Sequence, residues 1–281
     1  MEEIRNITKA DKSEILQLVK CIWGGEDYLP KVFKQWVDDS GFVLLSIDNS
    51  IAGVAKLTEF SQGEFWMEGL RVGKRYRGLG VAKRLTEYFL DRLLKKKYKT
   101  IMYATRYDNK ASINLGKKYG FNQVEKFSNY HFVLRNNSKP KIPKVRFKKD
   151  YNRVYQYIKH SGILNKTNNM VPVGWKFRLF SRPLIKKLCE QNFVVSIGEI
   201  ENDGFLIFKP KAEFEVINVL FLFGPPGKKR IYINYLLHLA SLNKSSIGFT
   251  VPIYSRVKKD FLNAGFDLEW CWGIRLLEYQ N

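Results

Sequence analysis

Between residues 64 and 97 the hydrophobic period changes from two to 3.6 across a glycine-rich turn. The run EFWMEGLRV has strand character and ends at Gly73. Arg77-Gly78-Leu79-Gly80-Val81-Ala82 follows, and VAKRLTEYFLDRLLKKK then reads as an amphipathic helix over 81–97. Its apolar face carries Leu85, Tyr88, Phe89 and Leu93, and its Lys-rich last turn suits the negative end of the helix dipole. Gly78 and Gly80 permit backbone conformations and close approaches that other residues resist. The first N–H groups of a helix lack intrahelical acceptors, so a glycine turn feeding a helix start suits a pyrophosphate. Arg71, Lys74, Arg75, Arg77, Lys83 and Arg84 add positive charge around it. The turn contains neither G-x-x-x-x-G-K-[ST] nor G-x-G-x-x-G, so it is not a P-loop or a dinucleotide fingerprint. A turn with no ligand is the alternative.

The preceding residues predict a strand at 2–8, a helix from Ala10 to Trp23 and a loop GGEDYLP. Pro30 suits the first turn of a second helix, KVFKQWVDD. GFVLLSID and IAGVAKLTEF form a hairpin across Asp48-Asn49. After the long helix come a strand KTIMYATR, a helix in DNKASINLGKKYGF capped by Asp108 and closed at Gly120, and a strand NYHFVLR. Residues 136–149, with Pro140, Pro143 and six basic side chains, read as a linker.

The second half repeats this order loosely. VVSIGEI, GFLIFKP and EVINVLFLFG are three strands, followed by a turn GPPGKK, a helix IYINYLLHLASL and a strand SIGFTV. A helix YSRVKKDFLNAGF and a strand CWGIRLLE complete it. Each half places helix-Gly-Phe about forty residues after its glycine turn, at Tyr119-Gly120-Phe121 and Ala264-Gly265-Phe266. A tandem duplication is expected, with domains at 1–135 and 150–281. The two prolines of GPPGKK remove amides that a pyrophosphate needs, so the second copy is expected to have lost its site.

Composition narrows the class. Of 281 residues 45% are hydrophobic, with 20 Phe, 15 Tyr and 6 Trp, which excludes a mainly disordered chain. The net charge is +21, but residues 1–50 carry 6 basic and 9 acidic side chains. The excess is spread over the rest. It fits solvated faces or attraction of an anionic cofactor, and a nucleic-acid partner stays possible without being favoured. No apolar run reaches the roughly 18 residues of a membrane span, and the N-terminus is too polar for a signal peptide. Cys21, Cys189 and Cys271 are scattered, which argues against a disulfide framework or thiolate metal site. His131, His160 and His238 are isolated and no metal is expected. A soluble, cytoplasmic protein is the expectation.

R-x-x-G-x-A after MEGLRV, then a long helix, then DNKASINLGKKYGF, resembles the GNAT superfamily of acyl-CoA-dependent N-acetyltransferases over residues 1–135. IWGGEDYLP, Trp36, MEGLRV and RGLGVAKRL resemble the two-module branch that includes histidine N-acetyltransferases, which carry a degenerate second GNAT-like half. The resemblance implies an α/β fold: a mixed, mostly antiparallel sheet flanked by helices, then a second degenerate module. It also implies acetyl-CoA as co-substrate. The amides of Gly78, Leu79, Gly80, Val81 and Ala82, with Arg77, would hold the pyrophosphate. The strand end Leu70-Arg71-Val72 would splay from KTIMYATR to admit the pantetheine arm, with the Leu70 N–H polarising the thioester carbonyl. Asn109 matches a helix-start Asn near the cofactor.

An attacking amine must lose a proton, and Glu68 is the candidate base. By strand alternation it shares a face with Leu70, and Phe65, Trp66 and Met67 give it an apolar setting that raises a carboxyl pKa. Simple pairing of Glu68 with a Lys or Arg is the alternative. The family's general acid is a Tyr after the Leu of the last helix; here Gly116 follows Leu115, so water, Tyr103 or Tyr107 is left for that role. Acceptor recognition is expected from Glu26, Asp27 and Tyr28, unless Asp27 caps the next helix and Tyr28 packs. The expected acceptor is a small-molecule primary amine such as a free amino acid. A protein N-terminus or lysine stays open, as does a non-catalytic module binding acyl-CoA or nucleic acid.

Overall fold

A computed structural model describes residues 1–20, 22–132, 143–211, 214–252, 258–263 and 265–280. The chain divides into two compact units: Met1–Tyr103 with Ala111–Asn122 and Glu278–Asn281, and Ala104–Lys110 with Gln123–Leu277. Residues 136–142 of the expected linker, and Ala264 of the second helix-Gly-Phe, lie outside the described residues.

In the first unit β1 (Glu2–Asn6) leads through a short 3-10 turn to α1 (Lys12–Val19) and, after a second such turn at Ile22–Gly25, to α2 (Leu29–Asp38). The helix expected over 10–23 is therefore broken into three pieces. β2 (Phe42–Ile47) and β3 (Ser50–Ser61) form the expected hairpin, with Asp48 and Asn49 at φ 48° and 62°. Two successive positive φ values give a turn whose twist matches the strands, and Asp and Asn tolerate them. β4 (Glu64–Val72) follows, then α3 (Val81–Leu93), β5 (Thr100–Arg106) and α4 (Lys110–Lys118); β6 (Phe121–Phe132) begins in this unit, and from Gln123 it belongs to the second. α3 ends at Leu93, so Lys95, Lys96 and Lys97, expected to form its last turn, lie beyond it. The sheet of this unit runs β1-β2-β3-β4-β5, antiparallel except for the parallel pair β4–β5. Val81, Leu85 and Phe89 of α3 pack on Val43, Leu45, Ala52 and Ala55.

In the second unit β7 (Arg146–Phe147), α5 (Tyr151–His160) and α6 (Ile163–Lys166) precede a separate hairpin of β8 (Met170–Val173) and β9 (Lys176–Leu179). Then come α7 (Arg182–Glu190), β10 (Val194–Ser196), α8 (Ile200–Asp203), β11 (Leu206–Lys211) and β12 (Val216–Leu222). α9 (Pro226–Asn243), β13 (Ser246–Pro252), α10 (Lys258–Asn263) and β14 (Asp267–Tyr279) complete it. The sheet order is β14-β6-β13-β12-β11-β10-β7. β10, β11 and β12 are antiparallel neighbours, and β13 pairs parallel with β12. Each unit thus has three antiparallel strands, a glycine-containing turn, a helix, and a strand returning parallel to the third. The fold is mixed α/β with largely antiparallel sheets flanked by helices. Among the described residues no helix is long and apolar enough to cross a membrane.

Candidate functional site

Gly78 and Gly80 stand at φ 83° and 77°, a region where side chains are strained. Nothing lies within 4 Å of where a Gly78 Cβ would be, so Gly78 is required by its backbone and leaves open space above it. The first bond of α3 runs from the Arg84 N–H to the Gly80 carbonyl. The amides of Gly78, Gly80, Val81, Ala82 and Lys83 have no acceptor among the described residues. The Leu79 N–H, expected among the donors, reaches the Tyr76 carbonyl at 3.4 Å, while its side chain is 56% exposed. Arg77 is exposed beside the turn. Sequence reading counted Arg84 only as nearby charge. Its Nη1 lies 3.2 Å from the position of a Gly80 Cβ, and its Nε and Nη2 are buried without hydrogen-bond partners. Glu2 approaches that Nε at 3.0 Å as an ion contact.

β4 delivers the next set of residues. Its parallel ladder with β5 runs from Glu64↔Thr100 to Trp66↔Met102 and stops there, although β4 continues to Val72. On its other edge, Lys56 faces Glu68 but Val54 faces Arg71, so β4 carries one extra residue. Gly69, at φ 68°, marks this bulge. A Cβ there would stand 2.5 Å from the Trp36 ring. The bulge overturns the expected alternation. Met67, Leu70 and Val72 pack against the α3 core, whereas Glu68 and Arg71 join groups outside it. Glu68 therefore shares surroundings with Arg71, not Leu70. Nor is its setting the expected apolar one: the Thr58 hydroxyl donates to Glu68 Oε1 at 2.8 Å.

The loop before α2 closes this cluster. Asp27 Oδ1 accepts from the Leu29 N–H at 2.9 Å and caps the helix start. Its Oδ2 accepts from Arg71 Nε at 2.5 Å. Asp27 and Arg71 are 7% and 8% exposed, so this is a buried ion pair. Arg71 also donates from Nη1 to the Leu70 carbonyl and lies 5.2 Å from the Tyr28 ring centre. Burial pushes the Tyr28 hydroxyl up to about 12, so it keeps its proton and stays a donor near neutral pH. Glu68, Asp27 and Arg71 all act electrostatically on that hydroxyl. Glu26 is exposed. The arrangement offers one hydroxyl-bonded carboxylate, one protonated phenol and one internally neutralised ion pair.

Tyr103 on β5 donates its hydroxyl to the Ser112 carbonyl at 2.9 Å, and burial raises its pKa to about 12. In the second unit, Asn109 donates from Nδ2 to the Thr105 hydroxyl at 2.9 Å. The Asp108 carboxylate, expected to cap α4, is instead held by Arg106 at 2.8 and 2.5 Å. Tyr107 lies under Arg275 and Lys126. Among the described residues no three or more His, Cys, Asp or Glu side chains converge as a metal site would require.

Residues 2–121 match the model of the acetyltransferase (GNAT) family. The match covers 120 of the 281 residues, under half of the chain. The chain is 34% identical over 122 residues to histidine N-acetyltransferase of Xenopus tropicalis, across 41% of this chain and 37% of that protein. It is 32% identical over 94 residues to the enzyme of the same name from Oreochromis niloticus, across 32% and 28%. The chain thus spans less than two fifths of the length of these relatives. The fold is shared more widely than the sequence. A GCN5-related N-acetyltransferase from Sphaerobacter thermophilus superposes with a TM-score of 0.67 at 14% identity, over 99% of this chain and 95% of that one. One from Kribbella flavida gives 0.53 at 13% identity, over 99% and 70%. The GNAT stretch contains the glycine turn, the bulged β4 and the Asp27 loop.

Proposed function

We propose that the protein is an acetyl-CoA-dependent N-acetyltransferase acting on the primary amine of a small molecule. The observation that carries this is the row of unpartnered amides at the start of α3, beside a strand whose ladder with β5 has already ended. Amides in that state suit the diphosphate of acetyl-CoA, which supplies an acyl thioester. Gly78, Gly80, Val81, Ala82 and Lys83 hold it, with Arg77 and Arg84 as counter-charges, and Leu70 and Val72 border the pantetheine arm. Asn109 is proposed to lie near the cofactor, as in the family. Glu68 takes the proton of the acceptor ammonium. The amine nitrogen then bonds to the carbonyl carbon, the Leu70 N–H stabilises the oxygen as charge develops, and the C–S bond breaks. The sulfur leaves as thiolate, and water carries to it the second proton, which the nitrogen sheds on becoming an amide.

The matched relatives are named as histidine N-acetyltransferases, which favours an amino-acid acceptor. Tyr28 and Glu68 are the groups we assign to its recognition, with Glu26 at the exposed margin. Asp27 acts through Arg71 and the α2 start. We also propose two GNAT-like domains, at 1–135 and 150–281, on the shared strand–turn–helix–strand order. In the second, Pro225 and Pro226 have no N–H, and the Lys228 and Lys229 amides both donate to the Pro225 carbonyl at 3.0 Å. That leaves no cradle for a pyrophosphate.

The test is thiol release from acetyl-CoA with histidine and a panel of small amines, alongside coenzyme A titration of the wild-type chain and Gly80→Trp. Saturable binding lost in the variant, with turnover on a free amine, is expected. Wild type that neither binds coenzyme A nor releases thiol would overturn the proposal.

A further inference from the structure

The first turn of α3 carries two cations, Lys83 and Arg84, and each meets a carboxylate. Lys83 Nζ lies 3.8 Å from Glu87 Oε1, but both side chains are exposed and Glu87 already accepts from the Tyr119 hydroxyl at 2.7 Å. Arg84 differs. Its Nε lies 3.0 Å from Glu2 Oε2, with 31% of its side chain and 47% of that of Glu2 exposed. The contact is not a hydrogen bond, since Nε and Nη2 are both buried and neither has an acceptor. Those two atoms form one edge of the guanidinium fork, the edge that takes the paired oxygens of a carboxylate or phosphate. Nη1 stands 3.2 Å from the position of a Gly80 Cβ, so the group sits over the glycine turn. Glu2 therefore balances the charge of Arg84 without satisfying its donors.

Strand alternation puts that carboxylate where it is. Ile4 packs against the α3 core, Glu2 shares its face of β1, and Glu3 lies on the opposite face. In register Glu2 pairs with Ile47, which also packs against that core. On α3, Val81 and Leu85 are buried, and Arg84 follows Val81 by three residues, at the rim of the same contact. β1 is the edge strand of its sheet and pairs through its backbone with β2. The Glu2 carboxylate takes no hydrogen bond from any described residue, so nothing but the ion contact holds it.

We propose, on the reading of the diphosphate cradle given above, that Glu2 competes with acetyl-CoA for Arg84 and so limits how tightly the co-substrate binds. A diphosphate brings the oxygens that the two buried N–H groups lack, and more negative charge than one carboxylate. Arg84 turns its fork to the diphosphate, and Glu2 is released to solvent. A carboxylate left at the margin also repels the bound anion. Glu2 touches neither the thioester nor the acceptor. It is a positioning residue that acts through Arg84, and its effect falls on the binding of acetyl-CoA.

Coenzyme A is titrated calorimetrically into the full-length wild type, Glu2→Gln, Glu3→Gln, Arg84→Gln and the double variant Glu2→Gln/Arg84→Gln. Glu2→Gln keeps the backbone pairing of β1 and the length of the side chain. It should tighten binding about threefold, the worth of one partly exposed ion pair. A merely structural role for Glu2 would weaken binding instead. Arg84→Gln should weaken binding about tenfold, the loss of a charge-assisted contact, and in that background Glu2→Gln should add nothing. Glu3→Gln removes the same charge from the other face of β1 and should change affinity by less than about twofold. Unchanged or weaker binding in Glu2→Gln, an equal gain in Glu3→Gln, or an undiminished gain in the absence of Arg84 would overturn the proposal and leave the cradle standing. A wild type that binds no coenzyme A would overturn both.

Discussion

The Tyr103 hydroxyl oxygen lies 2.0 Å from where a Cβ on Gly116 would be. The two residues are therefore coupled: a phenol on β5 occupies the space that a side chain on α4 would fill. A glycine inside a helix costs about 1 kcal/mol relative to alanine, and here it avoids a collision. Gly116→Ala should destabilise the protein by about 1–3 kcal/mol, the usual range for overpacking. Tyr103→Phe removes the hydroxyl but leaves ring carbon Cζ at 2.9 Å, so it should rescue only part of that loss. Thermal melts of the two single variants and the double variant would show this as a non-additive cycle. Additive losses would mean that the two do not compete for space.

The Asp27–Arg71 pair predicts a larger effect. Removing one partner of a buried ion pair strands the other charge and typically costs about 3–5 kcal/mol. Asp27→Asn should lie in that range, and it also weakens the cap on α2. Asp27→Leu/Arg71→Met should recover much of the loss, because matched apolar groups need no desolvation of charge. Chemical denaturation of the wild type and these two variants checks the order.

Glu68→Gln should lower turnover by about 10²–10⁴ while coenzyme A affinity stays within twofold of wild type. Gln still accepts from Thr58, so the fold is preserved. Thr58→Val removes the hydroxyl that positions this carboxylate; it should therefore lower turnover without abolishing it, as thiol release would show. Full activity in Glu68→Gln would remove the base assignment.

Asp11 gives a pH-dependent term. Arg5 and the Thr8 backbone and hydroxyl hold its carboxyl at about 2, against an ordinary 3.8. A folded-state value below the unfolded one stabilises the protein above pH 3.8, and that stability is lost as pH falls from about 4 to about 2. Arg5 is partly exposed, so the contribution is about 1 kcal/mol after screening. Asp11→Asn should lower the melting temperature at pH 7 and flatten its dependence on pH below 4.

Much of the first unit could be read from residues alone. Asp48-Asn49 marked a hairpin, and Gly78 and Gly80 marked a turn, because positive φ leaves a signature in residue choice. The family was legible for the same reason, since its glycine turn follows a strand and opens a helix. The bulge at Gly69 was not legible. One inserted residue reverses the facing of everything after it, and a lone glycine in EFWMEGLRV does not say which way the strand will bend. The role of Asp27 was hidden because its partner lies 44 residues away. The β8–β9 hairpin was not legible from the repeat, because it has no counterpart in the first half.

The division of the chain has a consequence for biosynthesis. Glu278–Asn281 cluster with the first unit. There the Gln280 N–H donates to the Gly120 carbonyl at 3.0 Å, and Tyr279 packs edge-on against Phe121 and Tyr98. A nascent chain that has emerged only through Asn122 has Tyr98 and Phe121 without their Tyr279 neighbour. The first unit therefore gains these contacts only once 155 intervening residues, Gln123–Leu277, have been translated.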